Sequence, residues 1–187
     1  MNRIILASAS PRRRELMTLA GYDFEVICAD INETVPKNAA PEDVVKSLAL
    51  QKAQAVAENH GDAVVVGSDT VVALDGKILG KPHSEREAAE MLRSLSGRKH
   101  KVYTGVAIVC GEKVKNFFDE TDVEFYPLSD AEIEAYVATG EPMDKAGSYG
   151  IQGKGALLVK GIHGDYFNVM GLPISKVYRE MRDFFAE

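Results

Sequence analysis

A four-residue apolar run, Ile4-Ile5-Leu6-Ala7, breaks at Ser8 and passes at once into Ser10-Pro11 and an amphipathic stretch opened by Arg12, Arg13 and Arg14. Serine is favoured as a helix N-cap and proline at the first helical position. The segment therefore predicts a strand, a small-residue loop and a helix start, with Ser10 as the cap. A helix N-terminus presents unpaired N–H groups and the positive end of the dipole, and both favour an anion. Three arginines in that first turn oppose the dipole, a local cost that a bound polyanion, phosphate first, would offset. A solvated surface run is the alternative reading of the same triplet.

The remaining bounds are broad. A chain of 187 residues suffices for one sizeable domain, or for an elongated two-lobed one. Its net charge of −6 argues against a general nucleic-acid binder, which needs a basic face to neutralise many phosphates. The arginines are thus a local positive patch on an acidic protein and suit a small phosphorylated ligand. Cys28 and Cys110 lie in separate apolar runs and read as core thiols; neither has a Cys or His at metal-ligand spacing. The apolar start is too short for a secretory signal, and no stretch approaches the ~20 apolar residues of a membrane span. The expected location is the cytoplasm.

The pattern along the chain predicts one mixed α/β domain over residues 1–187 with no linker. Phe24 to Ala29 reads as a strand, followed by an acidic loop from Asp30 that contains Glu33. Pro41-Glu42-Asp43 opens a helix whose buried stripe is Val44, Val45, Leu48, Ala49, Ala53 and Val56. Ala63 to Gly67 is a β-branched run suited to a buried central strand that ends at Ser68-Asp69-Thr70, with strand pattern resuming at Val71 to Leu74. Asp75-Gly76 signals a hairpin. Ser84-Glu85-Arg86-Glu87 and Ser129-Asp130-Ala131-Glu132 have capping-box spacing and predict helices to about Leu95 and Thr139. Lys101 to Cys110 and Val114 to Tyr126 pair as strands across Gly111-Glu112. Ala156 to Lys160 and Phe167 to Met170 read as strands, and Ile174, Val177, Tyr178, Met181 and Phe185 line one face of a terminal helix.

Asp69 carries the sharpest chemical signal. A carboxylate beside a buried strand has to be hydrogen-bonded, paired or on a metal, because stranding it costs several kcal/mol. A structural turn aspartate is the alternative, since Ser-Asp-Thr favours local bonds to backbone. For Lys52 and Glu33 the plain readings are a snorkelling surface lysine and an exposed loop glutamate. Two carboxylates, several cations and a divalent metal would together suit hydrolysis of a phosphoanhydride. The glycine-rich loop Asp144 to Gly153 is neither a Walker A nor a dinucleotide fingerprint. Its Gln152 carries both a donor and an acceptor for a nucleobase edge. His60, His83, His100 and His163 fall in apparent helix ends, loops or a turn, and none is assigned a role.

The ordered set LASASPRRRELM at 6–17, VVVGSDTVV at 64–72, LGKP at 79–82, LSG at 95–97 with VYTGVAI at 102–108, DKAGSYGIQG at 144–153 and GLP at 171–173 resembles the Maf family of nucleotide pyrophosphatases. The likeness spans nearly the whole chain. It implies a fold similar to the inosine-triphosphate pyrophosphatases: a mixed twisted sheet with flanking helices, two lobes and a deep cleft. It implies metal-dependent cleavage of a nucleoside triphosphate to the monophosphate and pyrophosphate, with Mg²⁺ or Mn²⁺ as the divalent cation. By resemblance Asp69 is the catalytic acid or base and a metal ligand, and Glu33 is a second metal-site acid. Ser8, Arg13, Lys52 and Lys81 match the phosphate-contacting group. Arg12, Thr70 and Gln152 match the positions that set substrate specificity and look like the subgroup acting on dTTP and UTP, modified pyrimidine nucleotides included.

Two other functions stay open at this point. One is the same reaction on 7-methyl-GTP or a non-standard purine triphosphate. The other is a nucleotide-binding regulator of septum formation without turnover. The resemblance is also compatible with a homodimer, although no stripe in the sequence marks its interface.

Overall fold

The computed structural model describes residues 3–28, 31–35 and 39–186. Thirteen regular elements alternate along them. They are β1 (Ile4–Leu6), α1 (Pro11–Leu19), β2 (Glu25–Val26), α2 (Pro41–Ala57), β3 (Val64–Leu74), β4 (Lys77–Leu79), α3 (Glu85–Leu95), β5 (Lys99–Cys110), β6 (Lys113–Phe125), α4 (Asp130–Val137), β7 (Val159–His163), α5 (Tyr166–Met170) and α6 (Ile174–Ala186). The strands form one seven-stranded mixed sheet in the order β2-β1-β3-β5-β6-β7, with β4 paired antiparallel to β3. β1 runs parallel to both β2 and β3, the arrangement that strand–helix–strand crossovers generate. The fold is thus the expected mixed α/β class.

Contacts gather the chain into two compact units. The first comprises Met1–Asp69, Thr104–Asp119 and Gly171–Glu187; the second comprises Thr70–Tyr103 and Glu120–Met170. In the first, Ile5, Ala7, Val65, Ala107 and Val109 from the sheet pack with Ala49, Ala53 and Val56 of α2. That helix buries the six residues its 3.6-residue period predicts. In the second, Leu92 and Leu95 of α3, Ile133 and Tyr136 of α4, and Val102, Val123, Phe125 and Tyr149 form a separate core. Asp75 and Gly76 both take positive φ, 51° and 76°, in the tight turn between β3 and β4. Ser129 and Glu132 close a complete capping box.

Several expectations need correction. β3 does not stop at Ser68 but runs on to Leu74, so Asp69 lies inside a strand and not at its end. Its carboxylate is satisfied by a distant lysine, which removes the need for a turn. The strand expected from Phe24 shrinks to Glu25–Val26; Ala29 and Asp30 lie outside the described residues. Phe167 to Met170 is helical, within α5, because four apolar residues alone cannot distinguish strand from helix. On α6 the inward residues are Ile174, Val177, Met181 and Phe184, while Tyr178 and Phe185 are exposed. Cys28 is exposed and Cys110 half-buried, so neither is a core thiol; both are free. His100 is buried in β5.

Candidate active site

The first unit assembles its polar groups where β1 and β3 meet the helices that follow β1 and β2. α1 begins at Pro11 as expected, but the Ser10 side chain makes no capping bond. Ser8 does the local work instead. Its Oγ accepts from the Ser10 N–H at 3.3 Å and from Arg13 Nη1 at 3.0 Å. A hydroxyl has two lone pairs and one proton, so with both lone pairs engaged Ser8 has its O–H left to donate. A phosphate oxygen is a fitting acceptor.

Arg13 is held at a second point. Its Nε donates to the Gly171 carbonyl at 2.7 Å, a bond spanning 158 residues of sequence. Gly171 adopts φ 112°, which strongly favours glycine. The buried Ser68 hydroxyl lies 3.0 Å from the same carbonyl and 3.0 Å from that of Gly105. The half-buried Arg13 is pushed below its ordinary pKa chiefly by burial, while the negative charge of Asp69 opposes this. Arg12 adds to the lowering and Glu33 opposes it, so Asp69, Arg12 and Glu33 all lie within electrostatic reach of Arg13. A guanidinium stays charged under such a shift, which makes Arg13 a fixed positive centre.

Lys52 is no snorkelling surface lysine. Its Nζ contacts Asp69 Oδ1 at 2.5 Å and Glu33 Oε1 at 3.0 Å. The Lys52 and Asp69 side chains are only 18% and 14% exposed, so each charge requires the other. The close approach has a backbone cause. Gly67 and Asp69 are two apart in β3 and share a face. A Cβ on Gly67 would fall 2.4 Å from the Ala49 carbonyl oxygen and 2.8 Å from the Ala53 nitrogen. A Cβ on Gly105 would likewise fall 2.2 Å from the Val45 carbonyl oxygen. α2 therefore sits directly on the sheet, and Lys52, beside Ala53, reaches Asp69. Sequence reasoning missed Gly67, Gly105 and Gly171 as supports. Their signal was glycine inside β-branched runs and glycine before Leu-Pro.

The other candidates belong to the second unit. Thr70 follows Asp69 in β3 and is half-buried; Lys81 is exposed after β4. Gln152 is half-buried on the glycine-rich loop. Gly80, adjacent to Lys81, accepts from the Gly147 N–H at 3.0 Å, which joins the Lys81 segment to that loop within the unit. Gly147, at φ 68°, makes the approach feasible, since a Cβ there would fall 2.8 Å from Val72. Structure thus brings Ser8, Arg12, Arg13, Glu33, Lys52 and Asp69 together in one unit and Thr70, Lys81 and Gln152 in the other.

Two carboxylates turned toward one positive charge are a fitting donor pair for a hard divalent cation. Such a cation commonly takes one or two carboxylates and completes its shell with water and substrate phosphates. Among the described residues no group of three or more His, Cys, Asp or Glu forms a ready-made cage. No helix among them is long and apolar enough to cross a membrane.

A family model described as "Maf-like protein" matches residues 3–184. A dTTP/UTP pyrophosphatase of Bacillus cereus (strain AH820) is 56% identical over 184 residues, covering 98% of this chain and 96% of that one. The dTTP/UTP pyrophosphatase of Bacillus mycoides (strain KBAB4) matches at 56% over the same shares. Among solved structures, the Staphylococcus aureus Ham1 protein aligns with a TM-score of 0.47 at 17% identity, covering 66% of this chain and 71% of that one.

Proposed function

The chain belongs to the Maf-like protein family, and on that premise we propose that it hydrolyses dTTP and UTP to the nucleoside monophosphate and pyrophosphate. One observation carries the chemistry: Asp69 and Glu33 converge on Lys52, with Arg13 in electrostatic reach and Ser8 bonded to Arg13. Carboxylates for a water proton or a cation and donors for phosphate oxygens are thereby held side by side.

In this reading Arg13 and Ser8 bind phosphate oxygens as a pre-set pair, so little ordering remains to be done when substrate arrives. Asp69 accepts a proton from water attacking the α-phosphorus. The P–O bond to the β-phosphate breaks, and pyrophosphate leaves with its charge offset by Lys52 and Lys81. Asp69 and Glu33 would hold Mg²⁺ or Mn²⁺, which when bound would neutralise phosphate oxygens and favour ionised water. Positioning and charge neutralisation then supply most of the acceleration. Lys81, and Gln152 with Thr70 and Arg12 for base choice, enter on the sequence resemblance. The uracil and thymine edge offers acceptor, donor, acceptor, which an amide and a backbone N–H can meet. A nucleotide substrate also suits the cytoplasm as the place of action.

Product identity tests the reading. With dTTP or UTP and Mg²⁺ in ¹⁸O-labelled water, the label is expected in the monophosphate and none in pyrophosphate. Label in inorganic phosphate, with a nucleoside diphosphate as partner product, would place attack at the γ-phosphorus and overturn it.

A further inference from the structure

The loop that carries Gln152 is held on both sides by side chains that neither the resemblance nor the proposed reaction uses. Before Gln152, the Gly150 N–H donates to the Tyr136 hydroxyl at 3.2 Å. After it, the Glu141 carboxylate accepts from the Lys154 N–H through Oε1 at 3.2 Å and from the Gly155 N–H through Oε2 at 3.4 Å. Gln152 stands midway between these anchors, two residues from Gly150 and two from Lys154.

The Glu141 bonds amount to a cap supplied from elsewhere in the chain. Gly153–Leu158 is a short 3-10 helix whose N-cap position is Gln152, yet the Gln152 side chain makes no capping bond. A Ser, Thr, Asp or Asn at an N-cap would bond the first orphan N–H groups, but the longer glutamine is not a capping side chain. Here Glu141 takes those donors, and the Gln152 amide is spared for another partner. Burial pushes the Tyr136 phenol up to about 12, the Gly150 N–H opposing and the Glu141 charge adding, so Tyr136 keeps its intact hydroxyl. Backbone packing tightens the same turn. Gly153 takes φ 64°, and a Cβ on Gly155 would fall 2.1 Å from the Gly150 carbonyl oxygen and 2.7 Å from the Tyr136 hydroxyl. Tyr149, one residue before Gly150, is fixed in turn by a 2.8 Å bond to His100 Nε2.

We propose that Glu141 and Tyr136 are positioning residues for base selection, fixing from either side the segment that presents the Gln152 amide. The proposal rests on the reading of Gln152 as a base-selecting residue. Discrimination by an amide depends on donor and acceptor meeting a base edge at a set angle, and a loop free to shift by an ångström accepts more than one edge.

The test measures kcat and KM for UTP and CTP, which differ at that edge, in the wild type and in Glu141→Ala, Glu141→Gln, Tyr136→Phe and Gln152→Ala, with thermal melts of each. The expected result is a fall of about 5- to 10-fold in the UTP-to-CTP ratio of kcat/KM for Glu141→Ala and Tyr136→Phe, carried by KM. Glu141→Gln, with one carbonyl acceptor kept, recovers part of the preference. If Glu141→Ala and Tyr136→Phe lower both nucleotides by the same factor while Gln152→Ala shifts the ratio, the positioning role is wrong and the Gln152 reading stands. If Gln152→Ala leaves the ratio unchanged, the underlying reading fails and the proposal with it.

Discussion

Arg13 is held by two bonds of different kinds, one to a backbone carbonyl and one to a hydroxyl that has its own proton left to give. A lysine at this position lacks the two separate nitrogens of a planar fork that make these bonds. Arg13→Lys is therefore expected to lower kcat/KM for UTP by about 10- to 100-fold with the fold intact, as steady-state kinetics and a melting curve would show. His100 makes a contrasting case, a residue set by its surroundings. It packs edge-on against Phe125 and Tyr149, and burial lowers its pKa from 6.5 to about 4. Between those values the unfolded chain binds a proton there and the native protein does not, so stability is lost as the pH is lowered through that window. The loss approaches about 3 kcal/mol only as the pH reaches the native value near 4 and below. Urea unfolding at pH 7 and pH 4.5 should show a larger loss in the wild type than in His100→Phe; equal losses would count against it. Nothing in the sequence around His100 announced this, because burial of one ring depends on Tyr149, 49 residues away.

At the scale of elements, α2 and β3 decide the site. The helix was legible residue by residue, since its buried stripe follows a single period, and so were the Asp75-Gly76 turn and the Ser129 capping box. The strand was not. Ser68-Asp69-Thr70 interrupts an apolar run and looks local, whereas what keeps Asp69 within a strand is Lys52 on another element. Gly67 makes that meeting sterically feasible. Gly67→Ala would place a methyl against the α2 backbone, costing about 1–3 kcal/mol and moving Lys52 away from Asp69. A lower urea midpoint together with reduced kcat is the expected outcome. A variant as stable and active as the wild type would show that the helix does not need this closeness. Short runs such as Phe167 to Met170 failed for a plainer reason, as four apolar residues carry no period long enough to separate 2 from 3.6.

For the molecule as a whole, the reaction was legible in sequence only because several segments occur together and in order. No single residue type declared it, and the plain reading of Lys52 as a surface group was sound on local grounds, while Glu33 is the exposed loop residue its plain reading made it. Folding overrides those local grounds by gathering residues 8, 13, 33, 52 and 69 into one unit, where a lysine and an aspartate each less than one-fifth exposed require one another. Which charges become neighbours is a matter of chain path, which local pattern does not report. The most direct measurement is pyrophosphate release from dTTP and UTP in Mg²⁺ by the wild type and by Asp69→Asn, each shown to be folded by its melting curve. The wild type should turn over both nucleotides and Asp69→Asn should lose about 10³-fold or more in kcat. Turnover by Asp69→Asn within a few fold of wild type would remove Asp69 from the chemistry and contradict the assignment of this site.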